Sequence, residues 1–122
     1  MGIDFLSRGF IESPVFTEKW RREGLSEDDL LILQLALLQN PKAGDVMKGT
    51  GRLRKIRFAT GSRGKSAGIR VLYIDFELHG RIYLVDFFSK NEKENLSAEE
   101  RAIIRKRIPE IEQELFGGQN DE

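Results

Sequence analysis

Two long runs, IRVLYIDFEL at 69–78 and RIYLVDFFS at 81–89, carry apolar side chains on both faces of an extended chain. A strand of that kind has to be covered above and below, so both runs are expected near the middle of a sheet with helices packed on it. Their β-branched and aromatic content suits the pleat. His79-Gly80 between them reads as a tight hairpin turn, which makes the two runs antiparallel neighbours. A third run, Arg52 to Ala59, alternates, with Arg54, Ile56 and Phe58 on one face and Leu53, Lys55 and Arg57 on the other.

Helical patterns flank this block. Phe10, Ile11 and Glu12 open a short strand. Ser13-Pro14 then reads as an N-cap followed by proline at the first helical position. Phe16 and Trp20 share a face at i, i+4, and Gly24 ends that helix. Ser26 with Asp29 approximates a capping box, and Glu27, Asp28 and Asp29 suit the positive end of the helix dipole. The body that follows, LLILQLALLQ, is apolar on nearly every side, so it is either buried on several sides or keeps a surface for a partner. Asn40-Pro41 ends it. Ser97 with Glu100 caps a last helix that shows Ile104, Ile108, Ile111 and Leu115 at helical spacing; Pro109 is expected to kink or split it. The order is β-α-α-β-β-β-α. It predicts an α+β fold, an antiparallel sheet with helices packed on it, in one domain over 1–122 with about 1–9 and 117–122 frayed.

Composition narrows the function classes. A chain of 122 residues encloses one modest core, and 33% charged residues fit a water-facing surface. The longest apolar run, Leu30 to Leu38, is about nine residues broken by Gln34, far short of a membrane span. MGIDFLSRGF shows no basic-then-apolar leader, which favours a cytoplasmic location. With no cysteine, disulfides and thiol chemistry are excluded. The formal net charge is zero, yet Lys48, Arg52, Arg54, Lys55, Arg57, Arg63, Lys65 and Arg70 all fall between Val46 and Ile74 with no acid among them. Such asymmetry marks a polyanion site on an acidic body, where a shorter basic run would read as a solvated strand and loop.

The loop ATGSRGKSAG at 59–68 has the glycines and cations to cradle a phosphate. Gly64-Lys65-Ser66 matches the close of a Walker A loop, but Ala59 stands at the first glycine and a β-like run follows instead of a helix, which argues against nucleotide hydrolysis. The single histidine, His79, has no second histidine or cysteine with which to bind metal, and it reads as an exposed turn residue. Cations, hydroxyls and carboxylates remain. Lys55 and Arg57 point the same way on their strand, Arg70 begins the next, and Lys90 and Lys93 follow the last. Arginine forks and movable lysines suit RNA phosphate. Cleavage at a 2′-OH needs a base and charge on a pentacoordinate phosphate. A lysine crowded by like charges has its pKa lowered and can supply the base. Read from composition alone, holding RNA without chemistry fits equally well.

The sequence resembles the HigB-type toxins of the RelE/ParE superfamily. The matching pieces, in order, are FTEKW (16–20), QNPKAGDV (39–46), GTGRLRKIRFA (49–59), GKSAGIRVLY (64–73) and YLVDFFSKNEKENLS (83–97), together spanning roughly residues 10 to 107. The resemblance implies a βααβββα domain and a ribosome-dependent mRNA interferase of a type II toxin–antitoxin system. Such enzymes cut translated mRNA by attack of the 2′-OH on the adjacent phosphate, without metal or other cofactor. It implies a cognate antitoxin, often with a helix-turn-helix domain, the ribosome and mRNA as partners, and no membrane.

Carried over by position, Lys55 matches the general base or proton carrier, Arg57 a phosphate-positioning group and Arg70 the stabiliser of transition-state charge. Lys48, Arg54, Arg63, Lys65, Phe88, Lys90 and Lys93 are implied RNA contacts, although Arg54 shares a face with Ile56 and Phe58 and so has a structural reading as well. Three departures bear on rate rather than fold: Arg52 and Ala67 where glycine is common, and Phe88 where many relatives have tyrosine. Phenylalanine stacks on a base but moves no proton. Tyr73 lies on the neighbouring strand, on the face opposite Arg70. The alternative is a non-catalytic module of the same fold, in the manner of the topoisomerase-inhibiting ParE branch. Leu31, Leu35 and Leu38, or the last helix, are the expected partner surface.

Overall fold

The computed structural model describes residues 8–60, 68–89, 92 and 95–120. These residues form β1 (Gly9–Glu12), α1 (Pro14–Arg22), α2 (Glu27–Gln39), β2 (Asp45–Val46), β3 (Arg54–Phe58), β4 (Ile69–Phe76), β5 (Arg81–Ser89) and α3 (Ala98–Phe116). The sheet order is β1-β5-β4-β3-β2, so the two doubly apolar runs lie inside it as expected. The β2–β3, β3–β4 and β4–β5 pairs are antiparallel.

One edge corrects the antiparallel expectation: β1 runs parallel to β5, Gly9 opposite Arg81 through Glu12 opposite Leu84. No hairpin joins these strands, so the turn rule that orients β4 and β5 does not apply. The pairing continues into the α1 cap, where Ser13 donates its N–H to Leu84 O at 2.9 Å and its hydroxyl to Val85 O at 2.6 Å. The same hydroxyl accepts from Phe16 N–H at 3.0 Å. One serine therefore ends β1, docks it on β5 and starts α1.

Helices cover both faces. Phe16, Trp20, Leu33 and Leu37 of α1 and α2 pack on Val71, Tyr73, Ile82, Leu84 and Phe87. On the other face Ile108, Ile111 and Phe116 of α3 pack on Leu53, Leu72, Ile74, Phe76 and Phe88. Each such buried aliphatic or aromatic side chain contributes about 1.5–3 kcal/mol of transfer free energy. Both capping boxes form, Ser26 with Asp29 and Ser97 with Glu100.

Helix α3 is not split at Pro109: Ala98–Phe116 runs as one helix with the proline inside it. The proline is exposed, so the carbonyl deprived of its partner can bond water, while Ile108 and Ile111 on either side are buried against the sheet. The β4–β5 link is also longer than a two-residue hairpin: a 3-10 turn, Glu77–His79, precedes Gly80 at φ 66°. His79 is not a bare turn residue. Its Nε2 lies 3.0 Å from Glu112 Oε2, and its ring stacks on Phe116 at 4.0 Å. At the ends expected to fray, Gly9 is already in β1 and 117–120 form a 3-10 turn. Leu31, Ile32 and Leu35 of α2 are about half exposed, at 52%, 55% and 47%, which agrees with a helix only partly consumed by the core.

A register shift between Leu72 and Tyr73 places Leu72 opposite Asp86 and Tyr73 opposite Leu84, so Val85 bulges from β5. The extra residue resets the alternation. Leu84 and Phe87 therefore both face α1 and α2, and Phe88 turns to the α3 face.

Candidate functional site

Beyond the end of the α3 core, two rows of side chains cross the sheet on the α3 face. In the first, Arg57 of β3 stands directly opposite Arg70 of β4, and Arg70 directly opposite Phe88 of β5. In the second, Asp45, Lys55, Leu72 and Asp86 are consecutive cross-strand partners from β2 to β5. Like charges directly opposite oppose folding, so Arg57 facing Arg70 is a local cost that the rest of the sheet carries. Arg57 is exposed, Lys55 half-buried, and Arg70 only 5% exposed. With Ala43, Asp45 and Ile56, these three cations line an open cleft of about 390 Å³. All three residues proposed for catalysis from the sequence thus share one cleft.

The near wall of this cleft is a built loop. Tyr73 donates its hydroxyl to Pro41 O at 2.9 Å and accepts from Gly44 N–H at 2.9 Å. Burial pushes the Tyr73 phenol above its ordinary pKa, against the opposing pull of the Gly44 hydrogen bond, so it remains a protonated donor at neutral pH. Arg54 Nη1 donates to Gly44 O at 2.7 Å and Lys42 O at 3.2 Å. A Cβ on Gly44 would sit 2.8 Å from Lys55 O and 2.9 Å from Tyr73 Cε1, so only glycine lets the loop lie this close to β3. Arg54 and Tyr73 therefore act on the loop from the face opposite the rows.

A second cavity, about 260 Å³, continues the rows toward α3. Leu53, Leu72, Phe88 and Ile104 line it, together with Lys19, Asp86, Glu92 and Glu100. Lys19 reaches in from α1, with its Nζ 3.4 Å from both Asp86 Oδ1 and Glu92 Oε2, and it also donates to Phe87 O. That contact is open to it because β1 ends at Glu12 and leaves this part of β5 without a strand neighbour.

Lys48 is exposed in the turn after β2, where Arg101 of α3 donates to its carbonyl at 2.7 Å. Arg63, Lys65, Lys90 and Lys93 lie outside the described residues. The strand β4, not a helix, follows the 59–68 loop, in keeping with the argument against a Walker A site. Among the described residues no group of three or more His, Cys, Asp or Glu side chains is arranged to hold a metal ion. No helix there is long and apolar enough to cross a membrane. Sequence reasoning missed Asp45, Lys19 and Asp86. Asp45 sits on a two-residue strand too short to read, and the bulge that places Asp86 has no local signature.

No family model matches the chain. Solved structures do. A double-mutant form of the E. coli toxin RelE in the free state is 17% identical, over 83% of this chain and 97% of that one, with a TM-score of 0.56. The toxin–antitoxin complex RelBE of E. coli is 16% identical, over 72% and 99%, at 0.52. The isolated E. coli RelE toxin is 17% identical, over 81% and 98%, at 0.51. At these identities the likeness concerns architecture: this chain has the RelE fold.

Proposed function

We propose that this chain is the toxin of a type II toxin–antitoxin pair, of HigB type, that cleaves translated mRNA on the ribosome in the cytoplasm. The observation that carries the proposal is the opposition of Arg57 and Arg70 beside Phe88, with Lys55 one row away in the same cleft. A polyanion relieves such like-charge crowding, and the cleft offers the three groups that 2′-OH attack on phosphate requires. Lys55 takes the 2′ proton. Arg57 holds the phosphate, and Arg70 balances the charge that builds on its oxygens. The 2′ oxygen bonds to phosphorus, the 5′ oxygen leaves and takes up a proton, and a cyclic phosphate ends the upstream fragment. Phe88 stacks on a base. Lys48, Arg63, Lys65, Lys90 and Lys93 hold ribosomal and messenger RNA. The RelE fold, shared with a toxin solved in complex with its antitoxin, supports a cognate antitoxin here, and the exposed Leu31, Ile32 and Leu35 of α2 are its proposed contact.

Mapping new mRNA 5′ ends in a bacterial translation extract, with and without ribosomes, tests the reading. It predicts ends inside codons that require ribosomes. A second reading, a binding-only module of the same fold, draws on one observation: no tyrosine hydroxyl replaces the one lacking at Phe88, because Tyr73 is committed to Pro41 and Gly44. Under that reading folded protein yields no new ends.

A further inference from the structure

The 260 Å³ cavity beside the cations has a different chemistry from the cleft. Its apolar side is Leu53, Leu72 and Phe88, all buried. Its ionic side is three carboxylates, Asp86, Glu92 and Glu100, with the single ammonium of Lys19 between Asp86 and Glu92. These four groups sum to two negative charges, so a phosphate belongs in the cleft and not here. The two spaces are nonetheless lined by neighbours across the sheet: Arg70 is the cross-strand partner of Phe88, and Leu72 stands between Lys55 and Asp86. Two strand spacings, about 10 Å, separate Lys55 from Asp86. That is the reach of one nucleotide from its phosphate to the far edge of its base.

We propose that this cavity is a base subsite that selects a base with an exocyclic amine over uracil. The proposal rests on the RNA reading above. A flat ring placed against Phe88 and Leu72 turns its Watson–Crick edge to Asp86, Glu92 and Lys19. Carboxylates only accept hydrogen bonds and an exocyclic amine donates them, while Lys19 donates to the neighbouring ring acceptor. Uracil instead sets a carbonyl oxygen against a carboxylate. The acceptors are already held in place: Asp86 Oδ1 accepts from Phe87 N–H at 2.7 Å and Glu92 Oε1 from Ser89 N–H at 2.8 Å. Little ordering remains to be done when the base enters.

Oligo-C and oligo-U of equal length separate the amine from backbone charge and ring size. Fluorescence anisotropy of the labelled RNAs with the whole chain at low salt is expected to show oligo-C bound about ten-fold tighter. Asp86→Asn keeps an acceptor for Phe87 N–H and swaps the other oxygen for a donor; with Glu92→Gln it is expected to bring the two affinities within about two-fold. Arg57→Met is expected to weaken both RNAs by the same factor. Equal binding of oligo-C and oligo-U by the unaltered protein overturns the base subsite and leaves the phosphate reading standing. Binding of neither RNA overturns both. A preference that survives in the folded double variant assigns it elsewhere and overturns this site.

Discussion

The two ends of β4 treat charge in opposite ways. At the end beside β5's hairpin, Asp75 is buried at 3% side-chain exposure and bonds Arg8 at 2.9 Å and Lys42 at 3.0 Å, with Glu77 closing on Lys42 at 2.8 Å. At the other end, five residues earlier on a strand rising about 3.3 Å per residue, Arg70 faces Arg57 with no acid in its row. One end clusters its carboxylates with cations. The other sets two arginines opposite each other, with Lys55 and its cross-strand partner Asp45 one row away. The contrast teaches where to look for function: the paired end is architecture, and the crowded end is the part suited to an external anion.

Substitutions can break or sharpen this contrast. The largest effect is expected from Arg70→Met, which should lower ribosome-dependent cleavage by about 100- to 1,000-fold while circular dichroism shows a folded protein. At the paired end, Asp75→Ala should do the reverse. It removes the carboxylate that Arg8 and Lys42 both bond and should cost about 3 kcal/mol in urea unfolding, with cleavage per folded molecule nearly unchanged.

Legibility in the sequence followed how local each cause was. Ser13-Pro14, Ser26 with Asp29 and Ser97 with Glu100 start helices through contacts three residues long, and all were readable. The face shared by Lys55 and Arg57 followed from strand period alone. The parallel pairing of β1 with β5 was not readable, because Gly9 and Arg81 are joined by nothing local. Whether Pro109 splits α3 was not readable, because it depends on whether the orphaned carbonyl meets water, which only the packing of α3 decides. The site was legible as a set of cations but not as a geometry. The opposition of Arg57 and Arg70 needs the β3–β4 register, and the approach of Asp86 needs the bulge at Val85.

Smaller effects probe the connection between the two ends. Tyr73→Phe removes the hydroxyl that ties Pro41 and Gly44, and should cost about 1–2 kcal/mol in thermal or urea unfolding. It should also raise KM more than it lowers kcat, because the loosened loop walls the cleft. Phe88→Tyr restores a hydroxyl in the Arg57–Arg70 row and should raise the cleavage rate by about ten-fold. Arg57→Met removes one of two opposed like charges, and should stabilise the fold by about 0.5 kcal/mol while weakening cleavage.

The pH dependence of stability should come from the paired end. Burial pushes the Asp75 carboxyl up, but the hydrogen bonds and charges of Arg8 and Lys42 outweigh it and hold its pKa below the usual value of 3.8. A depressed carboxylate stabilises the fold above its unfolded pKa, and that contribution is lost as pH falls through the lower folded value. Urea midpoints should therefore drop below about pH 4 in the unaltered chain and drop less in Asp75→Asn.

The most direct test of the central claim is mRNA 5′-end mapping in a translation extract with two variants side by side, Arg70→Met and Asp75→Asn. The account predicts that ribosome-dependent ends vanish with Arg70→Met and persist with Asp75→Asn at equal amounts of folded protein. Ends that persist with Arg70→Met, or that never appear with the unaltered chain, would contradict it.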